Sequence, residues 1–338
     1  MNSLALETGE RVIVRFDPAY FQELTAPLKT HIEGAGATVA AEIEYLEPPA
    51  TDGGRLADAL EDADVYLWTP LREAMYVSPG EQQALVEWMR QGGKRRQGHF
   101  HWSGGSVLPD GLPGAHPALF DRIYEDALDL DYAALSQRQD HVIAALRSAP
   151  LRIRTPHGTD LTLRAGNRPM NKQDGDGSPG RARRAQMQVD REIELPAGVV
   201  RVAPEESTVN GTLVIPEARF GGVLARNIRM EIAAGVVRKI EADENPPAVE
   251  AELNAGGPAA FRFREIGVGV NPKLAVPEGC AVLPYFGYGA GVLRMSLGDN
   301  QELAGGVQGN WRRWFFFPVS TVAAGSRLII DNGTLTVK

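Results

Sequence analysis

Along the first 150 residues, short apolar runs alternate with longer stretches whose apolar positions recur every three to four residues. RVIVRF at 11–16 has the near-continuous apolar character of a buried strand. Asp17 and Pro18 then open a helix running towards Ile32, and Gly34 and Gly36 stop it. Positions 37–46 predict the next strand, Gly54–Glu61 a helix, and VYLWTP at 65–70 a third strand closed by proline. The segment 79–93 starts on proline, has apolar i, i+3, i+4 spacing and ends on two glycines. QGHFHWSGG follows as a fourth strand running into a loop, and helical patterns at 117–129 and 131–147 complete this half. Strands alternating with helices of this length predict right-handed βαβ units and a mostly parallel sheet.

The pattern changes at Ala149 and Pro150, where glycines begin to punctuate alternating apolar and polar positions. LRIRTPHGTDLTLRAG predicts a hairpin turning at His157 and Gly158. GVVRVAP, GTLVIPEA, IRMEIAAGVVRKIEA and RLIIDNGTLTV are strand-like, and only VEAELNAGG at 249–257 has a clear helical pattern. The expectation is an α/β domain over 1–149 followed by an antiparallel, β-rich α+β domain over 150–338. Residues 166–186 lack periodicity and are rich in breakers, which predicts a mobile loop.

Composition narrows the function classes. The 338 residues carry 35 Lys and Arg against 43 Asp and Glu, a net charge of −8. An acidic chain offers neither nucleic acid nor an anionic membrane a favourable field. Cys280 is the single cysteine, so no internal disulfide framework exists, and its apolar setting predicts an inert thiol. The opening MNSLALETGERV has neither the basic start nor the apolar run of a secretory signal, and no stretch reaches membrane-spanning length. A cytoplasmic location is expected.

Several local motifs invite chemistry. Asp174-Gly-Asp176-Gly falls short of a calcium loop, because the further ligands and the distal Glu are not in place. Arg181, Arg183 and Arg184 beside it form a basic patch, read as a solvated loop or as a flap over an acidic ligand. His99 and His101 share one side of a strand and could hold an ion at its end, although packing is the plainer role. No nucleophile elbow and no dinucleotide-binding glycine motif is present. Gly267 and Gly269 allow a backbone to approach a ligand or a second strand. Eight of the 24 aromatic residues lie within 285–317: Tyr285, Phe286, Tyr288, Trp311, Trp314, Phe315, Phe316 and Phe317. Arg294, Arg312 and Arg313 fall among them. Strand alternation would put about half of these aromatics on each face, so part of the cluster is available for a cleft.

In order, APEESTVNGT, FREIGVGVNP, GVLRMSLGDN and WRRWFFFPVSTV, closing on the RLIIDNG hairpin, resemble the thermophilic-aminopeptidase (M29-type) metallopeptidase family. The iron-dependent dihydroxypyridine dioxygenases are its relatives. The resemblance spans roughly 150–338. It implies an α/β domain followed by a β-rich domain, a homodimer and an enclosed active-site cavity. It also implies that Glu206 and Glu265 occupy the positions of two metal-binding glutamates. Where the family has a metal-ligating His this chain has Arg294, and where it has His-Trp-Asp this chain has Arg313-Trp314-Phe315.

Those exchanges decide the expected chemistry. Guanidinium stays protonated and has no lone pair for a metal. No His follows His157, so only His99 and His101 could rescue a site for Zn, Co or Fe. Glu206 and Glu265 set against Arg294 and Arg313 would form a neutral pocket without an ion. The leading expectation is a metal-free pseudo-peptidase without cofactor. It would bind a peptide through Glu206, Glu265, Tyr288, Arg294, Arg313, Trp314 and Phe315, as an accessory protein for peptide modification in natural-product biosynthesis. Precursor peptides of the ribosomal, crocagin-type pathways are one ligand class. The alternatives are a hydrolase or dioxygenase with relocated metal ligands, and a non-metal enzyme with Glu206 or Glu265 as base in a reaction such as cyclisation.

Overall fold

The chain starts with an alternation of strand and helix that places apolar residues on both faces of a parallel sheet. In the computed structural model, which describes residues 3–17, 22–44, 54–69, 78–100, 117–274, 276, 283 and 285–337, these elements are β1 (Arg11–Phe16), α1 (Gln22–Gly34), β2 (Thr38–Glu44), α2 (Gly54–Glu61), β3 (Val65–Trp68), α3 (Pro79–Arg90) and β4 (Arg96–Phe100). Val12, Val14, Ile32, Ala37 and Val65 pack on one side of the sheet. Ile13, Ile43, Leu56, Leu60, Tyr66, Leu85, Trp88 and Met89 pack on the other. Successive residues of β1 thus serve opposite cores, which is why its sequence reads as an unbroken apolar run. Ser78 caps α3: its hydroxyl accepts from the Glu81 N–H at 3.2 Å while the Glu81 carboxylate accepts from the Ser78 N–H at 3.0 Å.

Beyond α4 (Pro117–Leu128) and α5 (Tyr132–Arg147) come the hairpin strands β5 (Leu151–Arg154) and β6 (Asp160–Leu163). The segment expected to be a breaker-rich loop holds instead β7 (Asn171–Gln173) and a short helix α6 (Pro179–Arg183) capped by Ser178. Local polar bonds supply the order that periodicity does not show: Arg181 pairs with Asp174 at 2.7 Å and the Asp176 carboxylate accepts from the Ser178 N–H at 2.9 Å. The remaining elements are β8 (Glu192–Leu195), β9 (Val199–Val202), β10 (Asn210–Phe220), β11 (Val223–Ala233), β12 (Val236–Glu241), α7 (Pro246–Ala255), β13 (Phe263–Gly269), β14 (Leu293–Gly298), β15 (Arg312–Phe317), β16 (Thr321–Ala324), β17 (Arg327–Asp331) and β18 (Thr334–Leu335).

Three sheets result. A five-stranded parallel sheet has the order β2-β1-β3-β4-β8. An eight-stranded sheet runs β12-β11-β10-β6-β5-β16-β17-β18, and a second five-stranded sheet runs β15-β14-β13-β9-β7. The α/β, mostly parallel first part and the antiparallel, β-rich second part are as the patterning predicts. The compact units do not follow a single cut at 149/150. One unit comprises Met1–Tyr132, Gln173–Ala197 and Pro277–Tyr285; the other comprises Ala133–Lys172, Gly198–Val276 and Phe286–Lys338. The fifth parallel strand, β8, therefore comes from well past the change in sequence pattern. Among the described residues, no helix is long and apolar enough to cross a membrane.

Candidate functional site

Strand β13 lies at the centre of the second five-stranded sheet, and every one of its residues is buried. Its register separates two faces. Ile266 pairs with Val202 and Met295, and Val268 with Val200 and Leu293; Met295 and Leu293 in turn face Phe315 and Phe317. That face is apolar core. The other face carries Arg201, Glu265, Gly267, Arg294, Ser296, Trp314 and Phe316 in the intervening positions. A register shift between Phe263 and Glu265 makes Arg264 the extra residue of a bulge. The bulge lets two consecutive charged residues, Arg264 and Glu265, join one cluster.

Glu265 is the centre of that cluster and has no exposed surface. Its Oε2 accepts from Arg201 Nη2 at 2.9 Å and Nε at 3.2 Å and lies 2.6 Å from Arg264 Nη1. Its Oε1 accepts from Trp314 Nε1 at 3.2 Å, with Arg294 Nη2 at 3.0 Å. Glu302 forms a second node: it bonds Arg201 Nη2 at 2.5 Å, Arg312 Nη1 at 2.5 Å and Arg264 Nη2. Asp299 completes the set, its carboxylate 3.2 Å from Arg312 and its carbonyl accepting from Arg264 Nε at 2.6 Å.

Burial pushes the Glu265 carboxyl up, but Arg201, Arg264 and Arg294 more than offset it and hold the group at about 2. Burial likewise opposes ionisation of Glu302, and Arg264, Arg312 and Arg201 overcome it, leaving the carboxyl well below the usual range. Both groups are therefore charged at neutral pH, and their lowered proton affinity makes them weak bases.

The predicted site residues do not form one pocket. Glu265, Arg294 and Trp314 are together, and Tyr288 lies buried with the Arg294 guanidinium 5.5 Å from its ring centre. Glu206 has different partners: Arg168, the Gly306 N–H at 2.8 Å and Asn300 Nδ2 at 3.2 Å. Arg168 also donates to the Ala304 carbonyl at 2.8 Å, so this pair fastens the 300–306 loop. Burial raises the Glu206 carboxyl, and the Gly306 N–H and Arg168 outweigh it, for a net downward shift. Arg313 and Phe315 point the other way along β15. Arg313 pairs with Glu252 of α7 and stacks 4.1 Å from the Phe220 ring centre, and Phe315 is core. The expected neutral pocket of Glu206, Glu265, Arg294 and Arg313 is thus replaced by a cluster in which Arg201, Arg264 and Arg312 take the roles assigned to Arg313. Its signal in the sequence is Arg201, a lone charge in the apolar run GVVRVAP, and the adjacent Arg264 and Glu265 in an otherwise apolar strand.

The model of the 2,5-dihydroxypyridine 5,6-dioxygenase family (NicX) matches residues 131–276. Among solved structures, 2,5-dihydroxypyridine dioxygenase from Pseudomonas putida KT2440 superposes with a TM-score of 0.64 at 17% identity, covering 97% of this chain and 92% of that one. AmpT from Thermus thermophilus superposes at 0.67 and 15% identity, covering 99% of this chain and 96% of that one. The chain has an M29 aminopeptidase-like fold. No curated protein matches the sequence.

The resemblance implies a metal, and the Glu265 cluster is a poor set of ligands for one. Its nearest neighbours are guanidinium groups and an indole N–H, which donate hydrogen bonds and cannot coordinate. A different group of donors lies in the other compact unit. His99 on β4 and Glu192 and Glu194 on β8 bring one ligand atom each within 4.8 Å of the others. His99 Nδ1 is 3.4 Å from Glu192, and its ring packs 4.5 Å from that of Trp68. His101, the expected companion of His99, and Cys280 lie outside the described residues.

Proposed function

We propose that this chain is a metal-free ligand-binding protein on a peptidase-like fold, with a peptide as its ligand. The observation that carries the reading is the state of Glu265: wholly buried, ionised, and surrounded by three arginines where a metal enzyme would need further ligands. Fixed cations in place of an ion keep the carboxylate satisfied and leave no Lewis acid at that position. Trp314 and Phe316 are half-buried on the same sheet face and supply aromatic surface for side chains of a bound peptide. An accessory role, in which a homodimer of this cytoplasmic protein presents a precursor peptide to a modifying enzyme, is the biological form of the proposal.

Calorimetric titration against peptide panels, with and without EDTA, tests it. Binding that survives chelation is the expected result, and binding abolished by EDTA would overturn the reading. The convergence of His99, Glu192 and Glu194 favours one competing reading, a metal-dependent enzyme with relocated ligands. Stoichiometric Zn, Co or Fe in the purified protein, lost in His99→Ala, would establish it. A non-metal acid–base enzyme is disfavoured, because cations and N–H donors lower the proton affinity of both proposed bases and so make them weak ones.

A further inference from the structure

The Glu265 cluster holds more positive than negative charge. Arg201, Arg264, Arg294 and Arg312 face Glu265, Glu302 and Asp299, four guanidiniums against three carboxylates. The hydrogen bonds identify which cation is the surplus one. Arg264 is saturated by Glu265, Glu302 and the Asp299 carbonyl. Arg201 is shared between Glu265 and Glu302, and Arg312 between Glu302 and Asp299. Arg294 differs. It is only 4% exposed, and although Nη2 stands 3.0 Å from Glu265, neither Nε nor Nη2 donates a hydrogen bond. The Glu265 oxygen beside it accepts its hydrogen bond from the Trp314 indole instead.

A buried guanidinium with two idle donors is costly unless something else satisfies them. Nε and Nη2 form the side-on fork of the guanidinium, whose parallel N–H groups match the two oxygens of a carboxylate. The surrounding surface suits an organic anion rather than a solvated ion: the Tyr288 ring lies 5.5 Å below the guanidinium, and Phe316 is the cross-strand partner of Arg294. Gly267, on the facing strand, leaves room for the group, since a Cβ there would sit 3.2 Å from Arg294 Nε.

We infer that the ligand of this site carries a carboxylate and that Arg294 is the residue that binds it. The inference rests on the metal-free peptide-binding reading and names the part of the peptide that is recognised. The probe is a randomised hexapeptide library enriched on the immobilised full-length protein. The most enriched sequences are then synthesised as free acid, as C-terminal amide, and with each Asp or Glu replaced by its amide. The expected result is a loss of at least about tenfold in affinity for one of the two neutralised forms, the size expected for removing one partner of a buried charge pair. The form that loses affinity says whether the carboxylate is terminal or on a side chain. In Arg294→Gln the same discrimination should vanish while thermal unfolding stays cooperative. Equal affinity for all forms in the wild-type protein overturns the inference and leaves peptide binding intact. Failure to enrich any peptide overturns both.

Discussion

Arg264 and Glu265 are adjacent in sequence and paired with each other in space, Nη1 to Oε2 at 2.6 Å, with no exposed surface on either. In a regular strand they would point to opposite faces; the bulge at Arg264 brings them to one. The pair is the axis of a buried network in which Glu265 meets Arg201, Arg264 and Arg294 at once, so removing its charge is felt by all three. Glu265→Gln keeps the shape and loses the charge, leaving Arg294 without an anionic partner and Arg201 and Arg264 with Glu302 alone. Breaking a buried pair in this way typically costs about 3–5 kcal/mol. Urea unfolding at neutral pH should show a loss of that order. A loss below about 1 kcal/mol, the range of surface ion pairs, would mean that the network is solvated.

The same network sets an acid limit. Glu265 is held at about 2 when folded and returns towards 4.5 when unfolded, and Glu302 shifts in the same direction. A depressed carboxyl adds stability that is fully present above its unfolded value and disappears as pH falls through its folded value. Stability should therefore be flat from neutrality to about pH 5 as far as these groups are concerned, and should fall between about 4.5 and 2. Urea midpoints measured across that range check it. In Glu265→Gln the fall should be shallower, since one of the titrating groups is gone.

Much of the fold is legible in the pattern of apolar positions, because that pattern reports burial. β1 reads as two-sided core and is; the 151–163 hairpin turns where His157 and Gly158 predict. The site is legible only in part. Glu265 and Trp314 meet because Ser296 stands between them at one height, with Arg294 the next residue on that face of β14, and a motif order fixes strands but not heights. The resemblance puts Arg313 and Phe315 in the same pocket through the family's His-Trp-Asp run, whereas strand alternation sends them to the other face. Glu302 and Asp299 belong to the turn after β14, where no period marks their direction. The helix α6 is likewise invisible to periodicity, being five residues held by Ser178 and Asp174.

Alternation along β15 makes a separable prediction about Arg313. Its guanidinium packs on Phe220 and pairs with Glu252, so its role is to dock α7 on the long β10–β11 hairpin. Arg313→Ala removes a mostly buried ion pair and the apolar contact of the side-chain stem, together worth about 1–2 kcal/mol. The variant should unfold at lower urea and bind peptide as the wild type does. A tenfold or greater loss of peptide affinity, with stability unchanged, would return Arg313 to the ligand site.

Two glycines of β13 separate stability from binding most sharply. At Gly269, an added Cβ would lie 2.1 Å from the Gly289 carbonyl oxygen and 2.6 Å from that of Gly287. Both are backbone, tied to β13 through the Val270 and Asn271 N–H groups, which donate to the Tyr288 carbonyl at 3.0 Å each. Backbone held in this way cannot move aside, so Gly269→Ala should cost at least the 1–3 kcal/mol (roughly) of an overpacked core. At Gly267 the nearest neighbour is instead the Arg294 side chain, 3.2 Å away at Nε. A flexible guanidinium can shift by a few tenths of an ångström, so Gly267→Ala should leave unfolding nearly unchanged. It should nevertheless displace the one group inferred to hold the ligand, and peptide affinity should fall. Measuring urea midpoints and peptide titrations on both variants should give opposite outcomes: stability lost at 269, affinity lost at 267. If Gly267→Ala unfolds as readily as Gly269→Ala, Arg294 is locked in place by packing and is not available to a ligand.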